Sequence, residues 1–133
     1  MIRHNLVALA LMGLAGCGPS DGPIPVRGTI QSGGAPLHYG MLMFQPVPGG
    51  SGRPGVGYIG PDGQFAASTF KENDGLMPGE YRVAVQPAKP LDYNGPGENP
   101  AIASRFLSAT TSGLTVSVSR SEKVVEVRLE MMP

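Results

Sequence analysis

The chain is poor in three kinds of residue on which many functions depend. It has no tryptophan and one cysteine, Cys17, so an intrachain disulfide is impossible and the fold depends on its apolar core. A zinc site made of several thiolates is excluded for the same reason. Charge is scarce and balanced, with 10 basic and 10 acidic side chains. No basic cluster provides the footprint of a nucleic-acid-binding surface, so we predict no nucleic-acid partner.

Long apolar runs are also scarce. The longest apolar run is short and lies near the start of the chain. Arg3 provides a positive charge, the segment 6–14 is almost wholly apolar, and small residues at 15 and 16 precede Cys17. These are the parts of a secretory signal peptide. The apolar segment is much shorter than the roughly 20 residues of a transmembrane helix. We therefore predict that residues 1–16 are a cleaved targeting segment.

The end of this segment, Leu14-Ala15-Gly16-Cys17, resembles the lipobox of bacterial lipoproteins. The resemblance implies that the sulfur of Cys17 carries diacylglycerol and that the new amino terminus is acylated, for instance with palmitate. Two or three acyl chains anchor a protein stably, since each buried methylene contributes about 0.8 kcal/mol. We expect anchoring to the cell membrane or the outer membrane, with residues 17–25 as a tether and the domain in the periplasm or at the cell surface. The alternative is that Cys17 is incidental to an ordinary signal cleavage site.

The remaining chain has the composition of an all-β domain. Its length suits a single domain, predicted over residues 26–131. The 20 glycines and 14 prolines of the sequence indicate many turns. Between them lie segments in which apolar and polar residues alternate, the pattern of half-buried strands. Seven such strands predict two antiparallel sheets packed face to face: Val26–Ile30, Met41–Gln45, Val56–Ile59, Gln64–Ser68, Tyr81–Gln86, Leu114–Ser119 and Val125–Glu130.

Three motifs carry a resemblance to a known family. In chain order they are Gly34-Ala35-Pro36-Leu37, Asp62-Gly63-Gln64-Phe65 and Pro78-Gly79-Glu80-Tyr81. Together with Gly28-Thr29-Ile30 they resemble the carboxypeptidase regulatory-like domains of the transthyretin-like group. The segments from Ser68 to Tyr81 and from Thr111 to Val116 resemble, more narrowly, small bacterial lipoproteins that contain this domain. The resemblance implies a seven-stranded antiparallel β-sandwich, transthyretin-like or immunoglobulin-like, in which the motifs form turns and begin core strands.

The sequence offers little for catalysis. The hydrolase of 5-hydroxyisourate, a relative of transthyretin, uses histidines, an arginine and a terminal Tyr-Arg-Gly-Ser, whereas this chain beyond the signal segment has only His38 and ends in Met131-Met132-Pro133. No serine lies in the Gly-x-Ser-x-Gly turn of serine hydrolases. We predict no enzyme activity, no cofactor and no metal.

Two minor alternatives remain open from the residues alone. Asp62, Asp74 and Glu80 would hold calcium if their turns met, although no segment has the ligand order of an EF-hand. An internal isopeptide bond, as in related pilin domains, would need a buried lysine, whereas Lys71 and Lys89 both lie near loop signals.

Two classes of function fit these expectations. The first is a membrane-anchored structural or interaction module of the cell envelope, bound to an unknown envelope protein or glycan. The second is a carbohydrate- or peptide-binding lipoprotein. Sugar sites favour exposed aromatic side chains. The chain has no tryptophan, and we interpret only Tyr39, Tyr93 and Phe106 as available outside the strands. Tyr58 and Tyr81 are interpreted as core or cross-strand residues, which favours the first class.

A segment without periodicity, residues 87–111, is the predicted place of any binding surface, since long loops tend to be functional. Its conspicuous side chains are Tyr93, Asn94, Arg105 and Phe106, next to Leu91 and Asp92. A helical turn is predicted within 101–107. The alternative is that Ile102, Phe106 and Leu107 only cover one end of the core.

Overall fold

The computed structural model describes residues 21–87, 100 and 102–132. Eight β-strands and one 3₁₀ helix, Ser104–Leu107, lie in these ranges. The strands are β1 Val26–Ser32, β2 Ala35–Pro36, β3 Gly40–Pro46, β4 Gly55–Ile59, β5 Gln64–Ser68, β6 Gly79–Pro87, β7 Thr115–Val118 and β8 Val125–Met131.

The strands form one continuous hydrogen-bonded sheet. Its order is β2-β1-β5-β4-β3-β6-β7, with β8 on the other side of β1. All neighbours are antiparallel except β1 and β8, which run parallel over seven residue pairs, from Val26–Val125 to Ser32–Met131. The short strand β2 pairs with the end of β1, beyond the residues that β1 shares with β5. The molecule is therefore an all-β, mostly antiparallel sheet that curls into a half-barrel.

One face of the curled sheet holds the core. Alternate residues of almost every strand point inward, as in β3 and β6, where Leu42, Phe44 and Val83 are fully buried. The rings of Phe44 and Phe65 lie 6.0 Å apart between centroids, which joins β3 to β5 across the core. A single cluster contains all these residues. The polar residues that alternate with them face the outer surface.

The predicted strands are present, with ends shifted by up to two residues. The turn at Asp62-Gly63 joins β4 to β5 as a hairpin, as predicted, with Gly63 at a φ of 82°. The helical turn predicted within 101–107 is the 3₁₀ helix. The alternating pattern missed β2, because its two residues are too few to show a period.

The separation into two sheets that we predicted is not seen. Alternation shows which face a residue occupies but not which strand lies beside it. In the structure β3 pairs with β4 on one side and with β6 on the other, so the ladder passes without a break between the parts expected to form two layers. The parallel pairing of β1 with β8 was not predicted at all.

The described part of the domain begins before β1. Residues 17–20 of the predicted tether, Cys17 among them, lie outside the described residues, whereas Ile24 is buried and exchanges backbone hydrogen bonds of 2.9 and 3.0 Å with Leu76. Ile24 therefore belongs to the folded domain, and the tether itself stays a prediction. Within the described ranges, no helix has the length and apolar character needed to cross a membrane.

Candidate functional site

The outer face of the sheet has a row of side chains in register across four strands. Tyr58 on β4 pairs with Ala66 on β5, Ala66 pairs with Arg27 on β1, and Arg27 pairs with Glu126 on β8. All four alternate with inward residues, so they point away from the core. The sheet thus places an aromatic ring, a methyl group and an ion pair in one line.

The small side chain of Ala66 makes this line concave. It lies between the larger side chains of Tyr58 and Arg27, and Gly28 and Gly60 add no bulk beside them. The result is an open groove of about 820 Å³ across β8, β1, β5 and β4. We call it the outer groove, and its lining residues are Arg27, Gly28, Thr29, Tyr58, Gly60, Gln64, Phe65, Ala66, Asn73, Glu126, Val127 and Arg128.

Charge in the outer groove is weakly positive. Arg27 Nη2 donates to Glu126 Oε1 at 3.0 Å, with the two side chains 65% and 72% exposed. Such an exposed pair contributes little to stability, at most about 1 kcal/mol. Arg128, opposite Thr29 in the register, has no carboxylate partner among the described residues. The groove therefore offers a guanidinium group and an exchangeable ion pair to an incoming ligand.

Tyr58 supplies the aromatic surface of the groove. Its side chain is 68% exposed, the largest exposure of any large apolar residue in the described chain. The interpretation of Tyr58 as a core or cross-strand residue overlooked this. The signal was in the alternation of β4, because Ile59 points inward and its neighbour must point outward.

The predicted binding residues do not come together in the described structure. Tyr93 and Asn94 lie outside the described residues. Phe106 is 2% exposed and belongs to the core, so its ring is not offered to a partner. Arg105 is exposed, but its guanidinium lies 4.7 Å from the centre of the Phe106 ring and donates to the carbonyl oxygen of Met132 at 3.0 Å.

The alternative role given to this segment describes it better. Phe106 is buried and Ile102 packs against the core cluster, so both help to close one end of the half-barrel. Leu107, which we expected to do the same, is 51% exposed. The physical reason is the 3₁₀ helix, in which neighbouring side chains point in different directions and only one of the two faces the core.

The chain was compared with family models, curated proteins and solved structures. No family model matches the chain, and no curated protein matches it. A distant structural neighbour is the crystal structure of a DUF3823 family protein from Parabacteroides merdae ATCC 43184, with 23% sequence identity and a TM-score of 0.47. The match covers 85% of this chain and 48% of that protein, so this chain spans about half the length of its neighbour.

Each of the three carboxylates considered for calcium accepts a hydrogen bond from another group of the chain. Asp62 accepts the backbone N–H of Gln64, and Glu80 accepts the hydroxyl hydrogen of Ser117. Asp74 accepts three backbone N–H groups of the preceding loop, from residues 69, 70 and 71. Among the residues that the structure describes, no three His, Cys, Asp or Glu side chains could hold a metal ion together.

The carboxyl group of Asp74 has a shifted pKa. Burial of its carboxyl would raise its pKa, but hydrogen bonds from the backbone N–H groups of Thr69, Lys71 and Phe70 favour the charged form. The net result is a pKa below the usual 3.8. The Asp74 carboxylate therefore ties down the loop between β5 and β6, and its role is structural.

Proposed function

We propose that this chain is a membrane-anchored, non-enzymatic interaction module of the cell envelope, and that the outer groove is the surface with which it binds. The lipobox-like residues before Cys17 support the anchor, and the described domain would project from it through a short tether. Ile24 pairs with Leu76 through two backbone hydrogen bonds, so the proposed tether would end before residue 24. This leaves the outer face of β8, β1, β5 and β4 for a partner.

The observation that carries the proposal is the row Tyr58, Ala66, Arg27 and Glu126. An exposed tyrosine beside a gap and a charged pair is a common composition of recognition surfaces, where aromatic and arginine side chains supply most of the binding energy. Elsewhere on the described surface, large apolar side chains such as Phe70 are exposed singly, which needs no functional explanation.

The same row supports a second candidate, a carbohydrate or an extended peptide as the ligand. A tyrosine face can stack on a sugar ring, and the nearby polar groups of Thr29, Gln64 and Asn73 can exchange hydrogen bonds with hydroxyl or amide groups. Arg128 favours ligands that carry a carboxylate. The observation that favours this second candidate is the exposure of Tyr58, which was not expected from the sequence.

The anchor is tested by membrane fractionation and intact mass of the native chain and of Cys17→Ser. We expect the native chain to carry diacylglycerol and to sediment with membranes, and the variant to do neither. If both forms are soluble and merely cleaved, the chain is a secreted module and the anchor is rejected.

The groove is tested separately with Tyr58→Ala, using binding of isolated envelope glycan and of envelope membrane proteins as two readouts. Phe70→Ala is the matched control, since Phe70 is also an exposed aromatic residue but lies outside the groove. Loss of binding to glycan alone supports the second candidate, and loss of binding to protein alone supports the first. Equal binding by Tyr58→Ala and by the control would reject the groove as the site.

A further inference from the structure

Strand β8 is an edge of the sheet. It pairs with β1 on one side, and no described strand pairs with it on the other. An edge strand presents unpaired backbone groups that can pair with another chain. The opposite edge, β7, has four residues, whereas β8 has seven. The longer edge offers more hydrogen bonds, so β8 is the better place for an added strand.

The known hydrogen bonds show which backbone groups of β8 face outward. Val125 donates its N–H to the carbonyl of Pro25 at 2.8 Å, and the carbonyl of Met131 accepts from Gly33 at 3.1 Å. Successive residues of a strand direct their backbone groups to opposite sides. The odd-numbered residues from 125 to 131 therefore face β1. The N–H and C=O groups of Glu126, Arg128 and Glu130 point to the unpaired edge.

These same three residues alternate in charge, which limits how β8 can pair with itself. In an antiparallel pair with Arg128 on the two-fold axis, Arg128 would face Arg128 and Glu126 would face Glu130. Like charges directly opposite one another destabilise a sheet. With Val127 on the axis, Glu126 of each copy lies opposite Arg128 of the other, and both pairs are attractive. Val127 then faces Val127 on the inner side.

A third register, with Leu129 on the axis, is also attractive in charge, but it would require one carbonyl oxygen to accept a second hydrogen bond. It requires the backbone of Met132 to pair with Glu126 of the second copy. The carbonyl oxygen of Met132 already accepts a hydrogen bond of 3.0 Å from Arg105. The register centred on Val127 leaves that bond intact and places each Glu126 between two arginines, Arg27 of its own chain and Arg128 of the other.

We propose that β8 is a self-association surface, at which a second copy of this chain adds antiparallel to β8 with Val127 on the two-fold axis. The partner is identified by the complementary charges of Glu126 and Arg128 and by the outward backbone groups of the same residues. The two sheets then continue through the interface as one. Glu126 and Arg128 also line the outer groove, but the proposal depends neither on the lipid anchor nor on a ligand in that groove.

Disulfide trapping tests the register in the full chain carrying Cys17→Ser, which has no other thiol. On the axis, the two Val127 Cα atoms form a non-hydrogen-bonded pair about 4.5 Å apart, within the range that a disulfide bridges. We expect Val127→Cys to give a covalent dimer on mild oxidation. Arg128→Cys is the control and should give little covalent dimer, because in the proposed register position 128 lies opposite Glu126 of the other copy and not opposite itself. A dimer of Arg128→Cys, or none of Val127→Cys, overturns the proposed register.

Light scattering across a concentration series tests the association itself. Arg128→Pro removes an N–H that faces the open edge, and proline is tolerated there, so the fold should persist while the dimer is lost. The matched control is Thr115→Pro on β7. The carbonyl of Leu114 accepts from Val83 at 3.0 Å, so the N–H of its neighbour Thr115 points away from β6. Arg128→Glu should weaken the dimer about tenfold, since it replaces two attractive pairs with two repulsive ones.

Circular dichroism shows whether each variant is folded. A folded Arg128→Pro that dimerises like the parent chain, or a parent chain that stays monomeric at every concentration, overturns the proposal.

Discussion

The hydroxyl of Tyr81 donates a hydrogen bond of 2.6 Å to the carbonyl oxygen of Met77, four residues earlier in the chain. The phenolic oxygen of Tyr81 also accepts the backbone N–H of Arg53 at 3.2 Å. Burial of the phenol raises the pKa of Tyr81 above its usual 10.0, and the opposing effect of the Arg53 N–H is smaller. The hydroxyl therefore stays protonated and holds the start of β6 to two loops, as the tyrosine corner of immunoglobulin-like domains does.

Tyr81→Phe removes both hydrogen bonds while keeping the ring in the core. We expect a loss of about 1–3 kcal/mol in the free energy of unfolding, because the carbonyl of Met77 and the N–H of Arg53 lose their partner. Urea denaturation measures it. The matched control is Tyr58→Phe, which removes the hydroxyl of an exposed tyrosine and should change stability little. Equal losses of stability for the two variants would show that the two hydrogen bonds of the Tyr81 hydroxyl do not stabilise the fold.

Acid should weaken the fold through Asp74. Its pKa is lowered in the folded state, so its contribution to stability is present above the unfolded pKa of about 3.9 and disappears as the pH falls through the folded value. We expect the free energy of unfolding to decrease below about pH 4, and this decrease to be shallower in Asp74→Asn. Urea denaturation at a series of pH values measures the slope. Asp62→Asn should cost less stability at neutral pH, because Asp62 accepts one backbone N–H whereas Asp74 accepts three.

Gly28 allows β1 and β8 to approach each other closely. A Cβ atom at this position would lie 1.8 Å from the carbonyl oxygen of Val127. Gly28→Ala should therefore separate the parallel pair and destabilise the domain by at least about 3 kcal/mol. Gly33→Ala is the control: it meets no atom within 4 Å, so only its positive φ of 58° should cost stability, about 1 kcal/mol. Thermal unfolding followed by circular dichroism compares the two.

Phe106 is buried and its neighbour Leu107 is exposed, although both lie in the same 3₁₀ helix. Phe106→Ala should cost about 3–5 kcal/mol because it leaves a cavity at the end of the core. Leu107→Ala should change stability by no more than about 0.5 kcal/mol, since that side chain is exposed. Chemical denaturation measures both. A small loss of stability in Phe106→Ala would show that the Phe106 ring contributes little to the core.

The sequence was most informative where a local rule decides the structure. Alternation located the strands and placed Tyr81, Val83 and Val85 in the core, and Asp62-Gly63 located a hairpin turn. These features depend only on residues that are close in the chain. The same alternation would have placed Tyr58 outside, had Ile59 been used to fix the face of β4.

The sheet and the outer groove could not be predicted in this way. The groove requires Tyr58, Ala66, Arg27 and Glu126 to lie in one line, and this depends on the register of three strand pairs. A pattern of period two is unchanged when a strand moves to a different neighbour. The same limit explains why the joining of all strands into one sheet and the parallel partner of β1 were missed.

The pairing of the first long strand with the last has a consequence for the order of folding. Arg27 and Glu126 are 99 residues apart, and they meet only when β1 and β8 align. Loop closure over such a distance costs entropy before any contact forms, and proteins with many distant contacts fold slowly. β1 can pair with β5 early, but its other side stays unpaired until β8, which comes much later in the chain, is available. The domain therefore reaches its full cooperativity only after β8 has been synthesised.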